Sequence, residues 1–179
     1  MATRNILKDG DRGLEKKSRI VTDFNKRLHI LLDDMRETLI EANGLGLAAP
    51  QVGVLRRVIL IVDTVDDEES IEEQIIELVN PEIMDSEGDQ TGSEGCLSVP
   101  GIYGMVTRPE TVKVRAQDRF GKAFEFEGHE LTARAVCHEI DHLEGKLFTS
   151  IAERLLTEEE LEEMAEQNKK REEEESVQK

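Results

Sequence analysis

The chain has 179 residues, of which 37% are hydrophobic and 35% are charged, with two Cys, one Tyr and no Trp. This length suits a single domain with an ordinary hydrophobic core. No apolar run approaches the ~20 residues that span a bilayer, and the first residues lack the apolar stretch of a signal peptide. Two Cys cannot form a disulfide framework, so we expect a cytoplasmic protein.

The formal net charge of −17 is concentrated in two segments. Residues 63–77 hold eight acidic and no basic side chains, and residues 157–179 hold ten Glu against four Lys and Arg. The rest of the chain is therefore close to neutral. Without a basic stripe or stacking aromatic rings, the chain is not expected to bind nucleic acid directly, and we expect the acidic segments to favour solubility.

The first predicted element is an amphipathic helix over residues 23–42, where apolar side chains recur at helical spacing. Thr22 or Asp23 can cap its start, and Asn43-Gly44 ends it. The following segment, residues 44–53, has too much Gly for a helix and is too apolar for an ordinary surface loop. Because Gly permits close backbone approach, we expect another group to lie against this segment.

The middle of the chain predicts β-structure. Arg57 to Val62 and Ile75 to Val79 have the composition of buried strands, joined by the acidic segment as a solvated loop, and Asn80-Pro81 marks a break. Apolar and polar side chains alternate over residues 112–116 and 124–126 on either side of a turn, which predicts a hairpin.

Two helices complete the prediction. Residues 130–143 are apolar on most sides, which is typical of a buried helix, whereas residues 157–175 almost lack an apolar face. We expect the second helix to be frayed or to project into solvent, with Thr157 and Glu160 forming a capping box. Because the strands and helices do not alternate as βαβ units, the sequence predicts an α+β fold with mainly antiparallel sheets.

The segment that carries chemistry is His138-Glu139-Ile140-Asp141-His142, on the predicted buried helix. His142 lies about 40° round the helix from His138, so both imidazoles project from one face. Two imidazoles one turn apart can bind a single ion, with Glu139 beside them as a proton carrier. The alternative is an exposed helix end on which this short pattern arose by chance.

A metal site needs a third ligand. In the metzincin proteases the motif continues to a glycine and a further histidine, which is the third ligand. Here Gly145 is present, but Phe148 stands where that histidine should be. A glutamate ligand, as in thermolysin-like proteases, could come only from residues such as Glu153 or the polar tail. Those positions look poorly placed to close a buried site.

Other candidates for the third ligand differ in direction or location. His129 and Cys137 would project about 180° and about 100° away from His138, and His29 lies on a different helix, where a solvated surface histidine is expected. Cys96 lies in a Gly-flanked loop, where a thiolate can approach an ion. With two histidines it would leave a fourth position open for water, as in catalytic sites. The alternative is an inert thiol.

Three segments together resemble, in the same order, the motifs of the peptide deformylase family. They are Gly44-Leu45-Gly46-Leu47-Ala48-Ala49-Pro50-Gln51, Glu94-Gly95-Cys96-Leu97-Ser98 and His138-Glu139-Ile140-Asp141-His142. The resemblance implies a single α+β domain, with antiparallel sheets packed around a central helix that carries His-Glu-x-x-His. The catalytic domain would span residues 1–150, followed by an acidic, partly helical tail over residues 151–179.

The resemblance implies a metal-dependent hydrolase that removes the formyl group from N-formylmethionine at the start of new polypeptides and releases formate. It implies Cys96, His138 and His142 as metal ligands. Glu139 would be the general acid and base, while Gln51 and the backbone N–H of Leu97 would hold the carbonyl oxygen. The substrate backbone would lie against Gly44, Leu45 and Gly46. Candidates for the pocket of the methionine side chain are Leu45, Leu131 and Ala135.

The family resemblance also implies the cofactor and partners. The expected cofactor is one divalent ion, Fe²⁺ in the cell, with Zn²⁺, Ni²⁺ or Co²⁺ as substitutes. The expected partners are the N-formylmethionyl peptide and, through nascent chains, the ribosome. A basic C-terminal helix helps some relatives to dock there, but this tail is acidic, so that mode is not carried over.

Several points stay open in the sequence. Tyr103 stands where some relatives carry an Arg, in what we expect to be a loop, and Asp141 could pair with Arg134 or Arg108. A zinc endopeptidase on the same helix would need a third ligand other than Cys96. A structural zinc module would close the site with four ligands and unfold on chelation.

Overall fold

The structure is a computed structural model that describes residues 2–64 and 70–177, with side chains described as far as residue 170. The helices are α1 (Lys26–Glu41), α2 (Ile71–Gln74), α3 (Glu130–Leu143) and α4 (Glu158–Val177). The strands are β1 (Gly46–Ala48), β2 (Val58–Val62), β3 (Ile75–Glu87), β4 (Gln90–Cys96), β5 (Val99–Arg108), β6 (Thr111–Gln117), β7 (Ala123–His129) and β8 (Arg154–Leu155).

The strands form two sheets. The larger has the order β1-β2-β3-β6-β7 and the smaller the order β4-β5-β8, and neighbouring strands within each are antiparallel. The predicted α+β architecture with mainly antiparallel sheets is therefore confirmed. In the part of the chain that the structure describes, no helix is both long enough and apolar enough to cross a membrane.

The strand β2 is buried on both faces, which explains its continuous apolar sequence. Val58, Leu60 and Val62 pack in the same cluster as the apolar face of α1. Ile59 and Ile61 point to the other side and pack in the cluster that contains α3. Because α3 contacts both the larger sheet and β5, it occupies the centre of the fold.

The start of α1 differs from the sequence prediction. Asn25, rather than Thr22 or Asp23, caps the helix, because its side chain accepts hydrogen bonds from the N–H groups of Arg27 and Leu28. The preceding chain is held extended, since Val21 exchanges two hydrogen bonds with the side chain of Asn80. This tertiary contact moves the helix boundary by a few residues.

The region after β2 also differs from prediction. Asn80-Pro81 does not end the strand: β3 continues to Glu87 through a shift in register, with Asn80 at a φ of 52°. A bulge tolerates Pro because it removes one residue from the hydrogen-bond ladder. Part of the expected acidic loop is the short helix α2, and residues 65–69 lie outside the described chain.

The hairpin and the last two helices match their predictions. The strands β6 and β7 form the expected hairpin, and α3 spans the predicted residues. At the start of α4, Thr157 and Glu160 form the expected capping box: Glu160 accepts from the Thr157 N–H at 2.9 Å and donates its own N–H to the Thr157 hydroxyl at 3.2 Å. Most described side chains of α4 are exposed, as expected for a helix without an apolar face.

Candidate metal centre and active site

Cys96 is the last residue of β4, whereas the sequence predicted a loop. The glycines that suggested a loop have another cause, since each makes room for a side chain. A Cβ on Gly95 would lie 2.5 Å from the ring of Tyr103, which faces it across the β4–β5 ladder, and one on Gly92 would lie 3.1 Å from Arg134. Tyr103 thus also belongs to a strand. The strand pairing fixes the position of Cys96.

Cys96, His138 and His142 bring one potential ligand atom each to within 4.8 Å of one another. The Sγ of Cys96 lies 3.3 Å from Nε2 of His142. Nδ1 of His138 is hydrogen-bonded to Glu94 at 2.9 Å, which leaves its Nε2 for an ion. A thiolate and two imidazoles are a suitable donor set for Zn²⁺ or Fe²⁺, and no other such group of three was found among the described residues.

Glu139 is buried beside this cluster, with 4% of its surface exposed. Its Oε2 has no hydrogen-bond partner among the described residues, although a buried carboxylate normally finds one. Burial raises the pKa of Glu139 to about 7. A Cβ on Gly46 would lie 2.6 Å from Oε1, so the carboxylate has room only because residue 46 is glycine.

Glu94 connects the cluster to two buried arginines. It accepts hydrogen bonds from Arg108 at 2.8 and 3.1 Å, from Arg134 at 2.9 Å and from His138 at 2.9 Å. Burial opposes ionisation of Glu94, but the hydrogen bonds from His138 and Arg108 outweigh it and lower its pKa to about 2. Asp141 pairs with Arg108 at 2.7 Å, which resolves the choice between its two candidate partners.

Glu94 received no role from the sequence, although a signal was present. In a strand, residues two apart share a face, so Glu94 and Cys96 point to the same side of β4. The Gly and Ser residues of this segment are typical of a loop, so the sequence predicted no strand there. Without a strand, the common direction of Glu94 and Cys96 could not be predicted.

Gln51 lies beside Cys96 with its amide orientation defined by two contacts. Its Oε1 accepts the Ala48 N–H at 2.8 Å, and its Nε2 donates to the Ser98 hydroxyl at 3.2 Å and lies 3.6 Å from the Cys96 sulfur. The Ser98 N–H also points at that sulfur, at 3.4 Å. Ser98 is fully buried and was not anticipated from the sequence.

A cavity of about 580 Å³ opens onto these groups. It is lined by all five residues expected to bind substrate, which are Gly44, Leu45, Gly46, Leu131 and Ala135, and also by Leu97. The side chains of Leu45 and Leu131 are each 43% exposed, so they form an apolar rim. Lys8 and Tyr103 also line the cavity.

The competing ligand candidates lie elsewhere. The ring of Phe148 stacks on that of His138, with 5.9 Å between the ring centroids. The carboxylate of Glu153 accepts a hydrogen bond from the Thr107 hydroxyl. Cys137 packs in the core, where burial raises its pKa to about 11. His29 is half-buried rather than solvated, because its Nε2 is hydrogen-bonded to the Arg119 carbonyl at 2.8 Å.

Comparison with known proteins gives the family. The family model of polypeptide deformylase matches residues 3–158. The chain belongs to the polypeptide deformylase family. The peptide deformylase of Caldicellulosiruptor bescii is 54% identical over 162 residues, which cover 90% of this chain and 93% of the relative.

Solved deformylase structures share the fold. The crystal structure of a peptide deformylase from Legionella pneumophila matches with a TM-score of 0.77 and 42% identity, over 99% of each chain. A Met-Ala-Ser-bound peptide deformylase from Acinetobacter baumannii matches with a TM-score of 0.76 and 36% identity, over 84% of this chain and 99% of that one. The predicted activity of a metal-dependent deformylase, which removes the formyl group from N-formylmethionine peptides, is thus confirmed at the level of the family.

Proposed function

We propose that this deformylase holds its divalent ion with Cys96, His138 and His142. The close approach of their ligand atoms, within 4.8 Å, is the observation that carries the proposal. It is supported by Glu94, which orients the His138 ring as carboxylates do at histidine ligands of metals. When bound, a divalent cation supplies Lewis acidity, which lowers the pKa of water and polarises a carbonyl group. For this donor set we propose Fe²⁺ in the cell, with Zn²⁺, Ni²⁺ or Co²⁺ as substitutes.

Glu139 acts in this proposal as general base and then as general acid. Its unpartnered Oε2 is available to accept a proton from the attacking water. As the C–N bond of the formamide breaks, Glu139 returns that proton to the leaving amine nitrogen. The products are formate and a peptide with a free N-terminal amine. One water molecule is consumed for each formyl group that is removed.

Gln51 and the Leu97 N–H hold the formyl oxygen as negative charge builds on it. The hydrogen bond from Ala48 turns the Gln51 amide so that its NH₂ group points toward Cys96 and Ser98. Such a donor needs no reorientation during the reaction, and losing one typically costs ~10²–10³ in rate.

The cavity binds the start of the substrate peptide. We assign main-chain contacts with the substrate to Gly44, Leu45 and Gly46. They lie at the start of β1, which is an edge strand of the larger sheet and can pair with an extended peptide. The apolar rim of Leu45 and Leu131, together with the buried Ala135 below it, suits the methionine side chain. The Acinetobacter enzyme bound to Met-Ala-Ser is consistent with a peptide in this cavity.

We further propose that residues 1–150 form the catalytic domain and that residues 151–179 form an acidic tail. The first part of this tail belongs to the body of the protein, because β8 pairs with β5, and the exposed part begins at α4. The substrate arises where translation occurs, so we propose a cytoplasmic enzyme that meets nascent chains at the ribosome without contacting nucleic acid itself. The acidic charge of the chain disfavours binding to RNA.

The test is formate release from formyl-Met-Ala under anaerobic, metal-defined conditions. We expect Cys96→Ala to lose metal and activity, and Glu139→Ala to keep metal but lose ~10²–10⁴ in kcat. Cys137→Ala and Glu130→Gln are matched controls that change the same residue types outside the cluster, and both should stay active.

The outcomes separate the deformylase from its rivals. Wild-type turnover by Cys96→Ala or Glu139→Ala would refute the assigned roles, and cleavage of internal peptide bonds with formylated peptide left intact would favour an endopeptidase. Chelation should abolish activity and leave the far-UV circular dichroism unchanged, because the core clusters do not depend on the ion. Unfolding on chelation would instead indicate a structural metal.

A further inference from the structure

The N-terminal segment of residues 7–9, termed here the strap, joins the two segments that flank Cys96 in space. The Leu7 N–H donates to the Gln51 carbonyl and the Asp9 N–H to the Ser98 carbonyl, both at 2.8 Å. Between them, Nζ of Lys8 donates to the Leu97 carbonyl at 2.7 Å. The strap thus contacts both segments to which the carbonyl-oxygen donors are assigned.

The Lys8 contact and the Cys96 sulfur lie at opposite ends of one peptide group. The Leu97 carbonyl and the Ser98 N–H belong to the same peptide bond, and that N–H points at the Cys96 sulfur at 3.4 Å. Hydrogen bonds in series polarise one another. A cation on the carbonyl oxygen therefore makes the Ser98 N–H a stronger donor to sulfur.

We propose that Lys8 is a positioning residue for Cys96, which acts through the Leu97–Ser98 peptide. The inference rests on the proposed role of Cys96 as a metal ligand. An N–H donor withdraws electron density from a thiolate, and hydrogen bonds to ligating sulfur are one way in which a protein tunes its metal. Lys8 holds this donor in place without itself touching the reacting atoms.

A substrate contact is the competing role for Lys8, because its side chain is exposed and lines the cavity. A contact of that kind would act on substrate binding and would not reach the sulfur. The experiment must therefore report on the sulfur separately from turnover.

We suggest comparing Lys8→Met, Lys8→Arg and Lys122→Met in the cobalt(II)-loaded enzyme. Lys122 is an exposed lysine in the turn between β6 and β7, so its substitution makes the same change in net charge away from the cavity. The sulfur-to-cobalt charge-transfer band reports on Cys96, and kcat and KM are measured with formyl-Met-Ala. The backbone hydrogen bonds of Leu7 and Asp9 keep the strap in place in every variant.

We expect Lys8→Met to shift the band and to lower kcat roughly tenfold with KM nearly unchanged, which is the lower end of the range for outer partners of a metal ligand. Lys8→Arg should restore both values, and Lys122→Met should match the wild type. An unchanged band in Lys8→Met, or a raised KM with unchanged kcat, would overturn the inference. Absence of the band from the wild type would refute ligation by Cys96 itself.

Discussion

At the scale of single residues, Glu94 is the side chain on which the geometry of the site depends most. It is buried and contacts Arg108, Arg134 and His138 at once. Glu94→Gln keeps the shape but removes the charge, which leaves the buried arginines short of one counter-ion. We expect a loss of about 3 kcal/mol in the free energy of unfolding of the metal-free protein. Metal affinity should fall roughly 10–100-fold, because the His138 ring is less firmly oriented.

The matched control is Glu127→Gln, in which the carboxylate is exposed and lies 3.7 Å from Lys113. Such a pair contributes about 0–1 kcal/mol, so stability and metal affinity should stay near those of the wild type. Urea unfolding and competition with a chromophoric chelator measure the two quantities. If Glu94→Gln behaves like Glu127→Gln, Glu94 does not hold the site together.

At the scale of secondary-structure elements, the N-caps of α1 and α4 should differ in their effect on the free energy of unfolding. Asn25 caps α1, which packs its apolar face on β2, and Thr157 caps the mostly exposed α4. We expect Asn25→Ala to lower the free energy of unfolding by about 1 kcal/mol. Thr157→Ala should leave it unchanged, because a helix without core contacts can fray locally before the protein unfolds.

Urea unfolding gives both values, with kcat as a check that the site is intact. Neither substitution should alter kcat, since α1 packs on the face of β2 opposite to α3 and no described side chain of α4 lines the cavity. An equal loss of stability in both variants would mean that α4 is packed on the body of the protein.

At the scale of the whole molecule, the net charge of −17 should make the fold more stable in salt. Raising NaCl from about 0.01 M to 0.1 M shortens the Debye length from about 30 Å to 10 Å and screens the repulsion among acidic side chains. We therefore expect the midpoint of thermal unfolding to rise. Removing residues 158–179, which carry ten Glu, should reduce this rise, and a midpoint that falls with salt would mean that surface ion pairs dominate.

Features that depend on neighbouring residues could be predicted from the amino-acid sequence. The buried helix α3, the β6–β7 hairpin, the capping box of α4 and the spacing that puts His138 and His142 on one face all depend on neighbouring residues. The same holds for the motifs that carry the family resemblance, since they are read directly from the chain.

How distant segments complete the site became visible only in the folded protein. The strand that holds Cys96, the cap at Asn25 and the bulge at Asn80 each depend on a partner far along the chain, which periodicity does not report. Lys8 was missed for the same reason, because its partner is the distant Leu97 carbonyl. A polar side chain gains its role from the groups brought against it, and those groups come from other elements of the fold.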